Sequence, residues 1–493
     1  MLALLASHGN ATTEGMNGAP RVVVIGAGMS GLLVGIKLLE AGLTNFRIYE
    51  KAAKVGGTWR ENTYPNIACD VFSPGYRYSF APNPEWKFRF GRGEEIQRYF
   101  EGIRDTYGLC PYITFGAELT GARWDGSRWQ LTLADGRSDA ADILVSAVGA
   151  LHFPRFPDIP GLGTFAGPCF HTARWDHGVD IRDKRVGVIG TGSTAAQVIP
   201  GIVDKVAELN LFQRTAQWIL PARDRKYSES FKRRRRDHPW LSRLDHRLCL
   251  MAADVVSGAI RGNRFLLRRI EAACRANLRT VRDPELRAKL TPAYPAACKR
   301  LVISEDFYPA IQRPNAHVVT EGIEKIVPEG VVLRSGRRVD LDVLVLCTGF
   351  HPYKTTVNVV GENGRTLAEA WEGSPLVHRT VGVPGFPNYF VVFGPYSPIG
   401  NMSIIENSEI QVAYILKCIR LIADGKVRTL NPRQDVAQAQ KQALREGLKS
   451  TVWQSGCQSW YLDANGEAIS WPWSMRRFRR ELRAPVLSEY TIS

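Results

Sequence analysis

Apolar residues open the first regular segment of the chain in an unbroken run. After Arg21 come Val22, Val23, Val24 and Ile25, a β-branched stretch that reads as a strand buried on both faces. Gly26, Gly28 and Gly31 follow at once, and apolar residues then recur at helical spacing to about Ala41, ahead of a short strand at Phe46 to Tyr49. Farther on the pattern returns: Arg185 to Ile189 is a strand, Gly190, Gly192 and Ala195 form a second glycine turn, and Leu209 to Phe212 is the next strand. A third repeat joins the two halves. Asp142 to Gly149 and Asp342 to Gly349 share one spacing, an aspartate, an apolar strand and a closing glycine. This pattern predicts an α/β fold with two dinucleotide-binding, Rossmann-like domains, the second inserted in the first. The expected boundaries are 21–150 for the first part of one domain, 151–344 for the inserted domain, and 345–493 for the second part with a C-terminal loop. Within the inserted domain, residues 225–295 lack strand alternation and are rich in arginine, leucine and alanine, so a helical insertion is expected there.

A glycine turn between strand and helix suits a pyrophosphate. The first glycine lets the chain turn, the second lets the backbone approach the phosphates, and the third allows close helix-to-strand packing, with the helix N-terminus facing the anion. Glu50 lies twenty-four positions after Gly26, at the end of the next strand, where a carboxylate accepts hydrogen bonds from ribose hydroxyls. The residue at the same distance from Gly190 is Arg214, whose guanidinium suits a 2′-phosphate. The two halves therefore divide their ligands, Glu50 marking FAD and Arg214 marking NADPH over NADH. Thr191, Ser193 and Thr194 offer hydroxyls and amides to the second pyrophosphate, with Thr215 next to Arg214.

With 493 residues, 44% of them apolar, the chain can bury the cores of two or three domains. Its net charge of +16 raises the question of polyanionic partners. Much of the excess is local, in Lys232 to Arg236, Arg261 to Arg282 and Arg476 to Arg480, without the aromatic and basic interleaving of a nucleic-acid module. Around Trp240 to Arg282 apolar residues at helical spacing alternate with arginines; a solvated helical face and a weak contact with a membrane surface both fit. The nine cysteines show no metal-ligand spacing and are odd in number, and are read as reduced thiols of a cytoplasmic protein. The apolar run Leu2 to Ala6 is too brief for a secretory core or a membrane span, and Met16 offers an alternative start.

Two dinucleotide folds fit a flavin disulfide reductase, an amine N-hydroxylase or a flavin monooxygenase equally well. The segment between them discriminates. Phe165, Gly167, His171, Trp175 and Asp176 stand as Phe-x-Gly-x-x-x-His-x-x-x-Trp-Asp, which resembles the short fingerprint of the Baeyer-Villiger monooxygenases. A longer fingerprint of that family is matched by Gly57-Thr58-Trp59, Tyr64-Pro65 and Asp70, with Asn66 standing where glycine or methionine is usual and Ala68 where arginine is usual. The resemblance runs from about Arg21 to Arg483 and takes in Lys299-Arg300, Thr348-Gly349-Phe350 and Cys457-Gln458-Ser459-Trp460-Tyr461.

That resemblance implies that NADPH reduces the flavin and that dioxygen is captured as a flavin peroxide. The peroxide then inserts one oxygen atom beside the carbonyl of a small apolar ketone, giving an ester or lactone. Anionic intermediates of this kind need a fixed cation away from bulk water. Arg300 is the candidate, because arginine stays protonated and can hydrogen-bond a carbonyl oxygen, and Asp70 is expected to hold it in place. Lys299 joins Arg214 at the 2′-phosphate, and NADP stays bound. Thr58, Trp59 and Tyr76 are expected to line the flavin together with the loop Pro395 to Met402, and Trp460 either closes over the nicotinamide or anchors a core. For His171, a linker role and simple packing under a tryptophan are equal alternatives. Two other functions stay open: N- or S-oxygenation of a soft nucleophile, for which Arg300 is unnecessary, and a nucleotide-binding redox protein without turnover.

Overall fold

A computed structural model describes residues 18–400, 402–457 and 459–493; the Leu2 to Ala6 run, Met16 and Gln458 lie outside the described residues. Two five-stranded sheets carry the fold. Their strands, in chain order, are β1 (Val22–Ile25), β2 (Phe46–Tyr49), β3 (Ile113–Thr114), β4 (Ile143–Ser146), β5 (Cys169–His171), β6 (Arg185–Ile189), β7 (Glu208–Phe212), β8 (Ala316–Val319), β9 (Val343–Leu346) and β10 (Tyr389–Val391). The first sheet runs β10-β4-β1-β2-β3 and the second β5-β9-β6-β7-β8, with every neighbouring pair parallel. All residues of β1, β4 and β9 are buried, as expected of strands covered on both faces. Helix α1 (Met29–Glu40) follows the first glycine turn and α2 (Ser193–Ile202) the second. The stretch 225–295 holds α3 (Glu229–Asp237), α4 (Pro239–Ile260) and α5 (Arg264–Leu278), and α6 (Ile404–Ala423) lies beyond the second sheet in the chain.

The two sheets are built on one plan, down to single atoms. The Arg21 N–H donates to the Asp142 carboxylate at 2.7 Å, and the Arg185 N–H to that of Asp342 at 2.8 Å, so the start of β4 is pinned to that of β1 and the start of β9 to that of β6. Gly26 and Gly190 both sit at positive φ, +95° and +115°. A Cβ on Gly26 would lie 2.9 Å from the Ala147 carbonyl oxygen, and one on Gly190 2.3 Å from that of Cys347. Side chains are excluded at both turns by backbone, which cannot yield.

The core of the first sheet draws on both ends of the chain: Leu32 and Val145 share a cluster with Phe390, Tyr414 and Phe478, whereas Val188, Ile199, Leu211 and Val345 form a separate one. Strand β5, from the segment between the glycine turns, forms the edge of the second sheet next to β9. Its approach requires Gly167, where a Cβ would come within 2.3 Å of the Asp342 carbonyl oxygen.

The cysteines are not all free thiols, contrary to expectation. Cys298 and Cys457 are joined in a disulfide across 159 residues, their α-carbons 6.3 Å apart and within bridging range. Nothing in the spacing marks the pair, because the fold alone brings the two segments together.

Gly167→Ala is expected to lower stability by about 1–3 kcal/mol, the cost of forcing an atom against packed backbone. Gly163→Ala, in open space four residues earlier, should change it by less than about 0.5 kcal/mol. Urea denaturation of the two variants against the parent checks the difference.

Candidate active site

Around the first glycine turn the sequence builds an anion and ribose cradle. The N-terminus of α1 begins at Gly28 with no capping side chain and no acidic residue in its first turn, so its N–H groups are left for a ligand. Gly57 stands opposite, and a Cβ there would lie 3.2 Å from the Gly28 α-carbon, so bare backbone lines both walls of the slot. Glu50, buried at the end of β2, accepts from the N–H groups of Ala27 and Ala52 at 2.8 and 2.9 Å and from the Arg60 guanidinium at 3.0 Å. An ionised carboxylate has about four acceptor sites, so one remains for a ribose hydroxyl. These donors and the missing side chains fit a flavin dinucleotide. Gly31 does not face this space: its α-carbon hydrogen points at the turn, where a Cβ would fall 1.8 Å from the Gly26 carbonyl oxygen. It is a packing glycine.

The second turn repeats the cradle. Helix α2 starts at Gly192, again uncapped and without an acid in its first turn, and no atom lies within 4 Å of a Cβ placed there. Thr191 is fixed by its hydroxyl, which donates to the Thr215 carbonyl at 2.8 Å and accepts from Gln217 at 3.2 Å. Arg214 follows β7 and is exposed, while Lys299 is half-buried with its ammonium over the Tyr294 ring. Burial, and then the like charge of Arg214, push the Lys299 pKa down. Two cations held in mutual range are what a phosphate dianion relieves, so the donor set fits a 2′-phosphorylated nicotinamide dinucleotide.

Between the cradles lies an ion pair. The Arg300 guanidinium donates from Nε and Nη2 to the two carboxylate oxygens of Asp70, each at 2.8 Å, and from Nη1 to the Gly400 carbonyl. Burial opposes its charge, but the Asp70 carboxylate outweighs that and raises the pKa above the usual arginine range. Three of its five N–H groups are thus committed, and the buried Tyr461 hydroxyl lies against the same guanidinium and adds to its raised pKa. Tyr76 is buried beside this pair, its hydroxyl accepting from the Trp59 indole at 2.9 Å. Trp460 packs on Tyr461 with ring centroids 4.4 Å apart, so it lines the cleft and anchors a core cluster at once.

A single cleft of about 1720 Å³ joins all of this. It is lined by Gly26, Gly28, Glu50, Gly57, Thr58, Trp59, Asp70, Tyr76 and Met402, and on the other side by Gly190, Thr191, Gly192, Ser193, Thr194, Arg214, Thr215, Lys299, Arg300 and Trp460. Gly31 is absent from its wall, and of the expected loop Pro395 to Met402 the described residues that reach it are Ile399, Gly400 and Met402. The volume exceeds the roughly 300–1,000 Å³ of an ordinary small-ligand pocket, as two dinucleotides and a substrate require.

Sequence reasoning missed a link between the two halves. Gln197, on α2, donates to the Ala68 carbonyl at 2.9 Å and accepts from the Ala68 N–H at 3.3 Å and from the Tyr64 hydroxyl at 2.9 Å. Arg60, one position after Gly57-Thr58-Trp59, was missed as well, and Gly400 and Tyr461, though inside stretches already singled out, were not expected to meet Arg300.

The flavin-binding monooxygenase-like family model matches residues 19–352. The chain belongs to that family. A Baeyer-Villiger monooxygenase of Streptomyces coelicolor is 41% identical over 96% of this chain and 92% of its own, and one of Pseudomonas aeruginosa is 38% identical over 96% and 91%. Among solved structures, an oxidized steroid monooxygenase bound to NADP matches with a TM-score of 0.85 at 28% identity, covering 96% of this chain and 99% of that one. The monooxygenase family thus accounts for the two-sheet α/β fold and for both fingerprints. Among the described residues, no helix is long and apolar enough to cross a membrane.

His171, from the short fingerprint of this monooxygenase, does not pack under Trp175. Its ring lies between Phe156 and Phe350, 5.8 and 5.7 Å away, while Trp175 packs on Phe170. Its Nδ1 accepts from the Ala173 N–H at 3.1 Å. Burial pushes its pKa down to about 4, so it stays neutral while a histidine in the unfolded chain protonates near 6.5. Stability is therefore expected to fall as pH drops from about 6.5 toward 4, with about 2 kcal/mol lost from this group by pH 5. In His171→Asn that part of the slope should vanish, measured as urea midpoints at pH 7 and pH 5.

Proposed function

We propose that the protein is an FAD-dependent, NADPH-consuming monooxygenase of the Baeyer-Villiger type. It inserts one oxygen atom from dioxygen beside the carbonyl of a small apolar ketone to give an ester or lactone. The observation that carries this is the Arg300–Asp70 pair set between two dinucleotide cradles in one cleft. Relatives bearing the Baeyer-Villiger name over nearly the whole chain, and a structural neighbour described as a steroid monooxygenase bound to NADP, support it.

The chain divides into an FAD domain of residues 21–150 and 345–493 and an NADPH domain of 151–344 that carries the helices of 225–295. The completion of the first sheet by β10 supports this division. The N-terminus of α1, with Gly26, Gly28 and Gly57, holds the FAD pyrophosphate, and Glu50 the adenosine ribose. Thr58, Trp59, Tyr76 and Met402 border the ring system. The N-terminus of α2, with Gly190, Thr191, Gly192, Ser193 and Thr194, holds the pyrophosphate of NADPH, while Arg214, Thr215 and Lys299 take its 2′-phosphate and Trp460 borders the nicotinamide side.

When bound, FAD and NADPH supply the electrons that activate dioxygen. Arg300 would donate an N–H left over from its Asp70 and Gly400 bonds to the ketone oxygen and stabilise the negative charge that grows there as the carbonyl is attacked. Such a fixed donor contributes about 3–4 kcal/mol in a site closed to water. Asp70 orients the guanidinium and keeps it charged in spite of burial.

The test is a panel of apolar ketones given to the purified yellow holoprotein, with NADPH consumption and product mass as readouts. Ester or lactone carrying one added oxygen is expected; stimulation by sulfides or amines alone would move the protein to the N- or S-oxygenating class. Arg300→Ala should cut ester formation by at least about 10²-fold while flavin stays bound and NADPH is still oxidised. Arg214→Ala should raise KM for NADPH about tenfold or more, the worth of one charge-assisted hydrogen bond, and leave the KM for NADH within about twofold.

A further inference from the structure

Helix α4 carries its amphipathicity inside out. Ser242, His246 and Ser257 are buried on its inner side, where the His246 ring lies 2.8 Å from the Pro74 carbonyl and a Cβ on Gly75 would meet that of Cys249 at 3.2 Å. Five of its large apolar residues face water instead, Trp240, Leu244, Leu248, Met251 and Val255 being 43–64% exposed, while Ile260 at its C-terminal end is buried. Steps of four, four, three and four residues put these five on one line down the helix, a stripe about 22 Å long at 1.5 Å per residue. Phe265, in the first turn of α5, is 68% exposed, the most open of the large apolar side chains described. A surface helix normally presents the reverse pattern, and a contiguous exposed apolar band marks a contact.

Charge identifies the partner. Arg243 lies three residues from Trp240, and Arg247 three from Leu244 and four from Met251, so both border the stripe. Arg268 lies three residues from Phe265 and borders it in the same way, and Arg264 opens the same first turn. All four are exposed, and none makes an ion pair among the described residues. The acids of these helices are already matched, Asp245 by Arg235 at 2.6 Å, Asp254 by Arg261 at 2.9 Å and Glu271 by Arg275 at 3.2 Å. Self-association through this face would set arginine against arginine, and a nucleic acid would leave the stripe in water. An anionic lipid surface meets both needs, with phosphates for the guanidinium groups and acyl chains for the stripe.

We propose that α4 and the start of α5 form a docking surface for anionic lipid bilayers. The holoprotein is to be sedimented with vesicles of phosphatidylcholine alone and with about one third phosphatidylglycerol. Binding at least about tenfold stronger to the anionic vesicles is expected, weakening as salt is raised, with Trp240 emission shifting to the blue on binding. Leu248→Asp with Met251→Asp should lower the anionic partition at least about tenfold, and so should Arg243→Gln with Arg247→Gln, at about fivefold per arginine. Retained flavin and an unchanged melting temperature show that each variant is folded; if the aspartate pair fails to fold, the glutamine pair, wholly in solvent, carries the test. Equal partition into both vesicle types, no binding at low salt, or binding untouched by the variants that fold overturns the proposal. So does a dimer in sedimentation equilibrium that the same substitutions dissolve, which would give the face to a second copy of the chain.

Discussion

A guanidinium and a carboxylate that meet across 230 residues of sequence form the constraint on which the site depends. Removing each ion from water costs several kcal/mol, returned only if the geometry is good and the remaining hydrogen-bonding groups find partners. Asp70 and Arg300 meet that condition with two bonds of 2.8 Å, and the Gly400 carbonyl takes a third N–H. The three residues come from separate stretches of chain, so the cation is correctly placed only when the stretches are correctly assembled. Both glycine cradles open toward the same cleft, which lets one charged group serve chemistry that draws on two cofactors.

The two-sheet α/β architecture was legible because its determinants are local. A turn that must pass a carbonyl at 2.9 or 2.3 Å tolerates glycine alone, and such positions recur at fixed distances from Glu50 and Arg214 whatever the rest of the chain does. The residues that were not legible owe their places to tertiary packing. Gln197 on a helix, the Gly400 carbonyl in a loop, and Cys298 opposite Cys457 carry no spacing that announces a partner more than a hundred residues away. His171 shows the same limit: its rings come from Phe156 and Phe350, on either side of the second sheet in sequence, rather than from Trp175 nearby.

The departures from the longer fingerprint have a backbone explanation. Asn66 stands at φ +63°, a region that asparagine enters at less cost than most residues, so it can replace the usual glycine without reshaping the loop. Its side chain also donates to the Gln197 carbonyl at 3.3 Å. Ala68 engages Gln197 of α2 through its own N–H and carbonyl, which leaves the identity of its side chain free.

The Gln197 amide grips Ala68 by both backbone groups, as a neighbouring strand would, and thereby becomes a surrogate strand reaching over from the opposite half. Asp70 is two residues farther along the same strand, Ala68–Phe72. Gln197 thus ties α2, the helix that follows the second glycine turn, to the strand that carries the anchor of the arginine. One side chain therefore spans the gap between the second glycine turn's helix and the strand of Asp70.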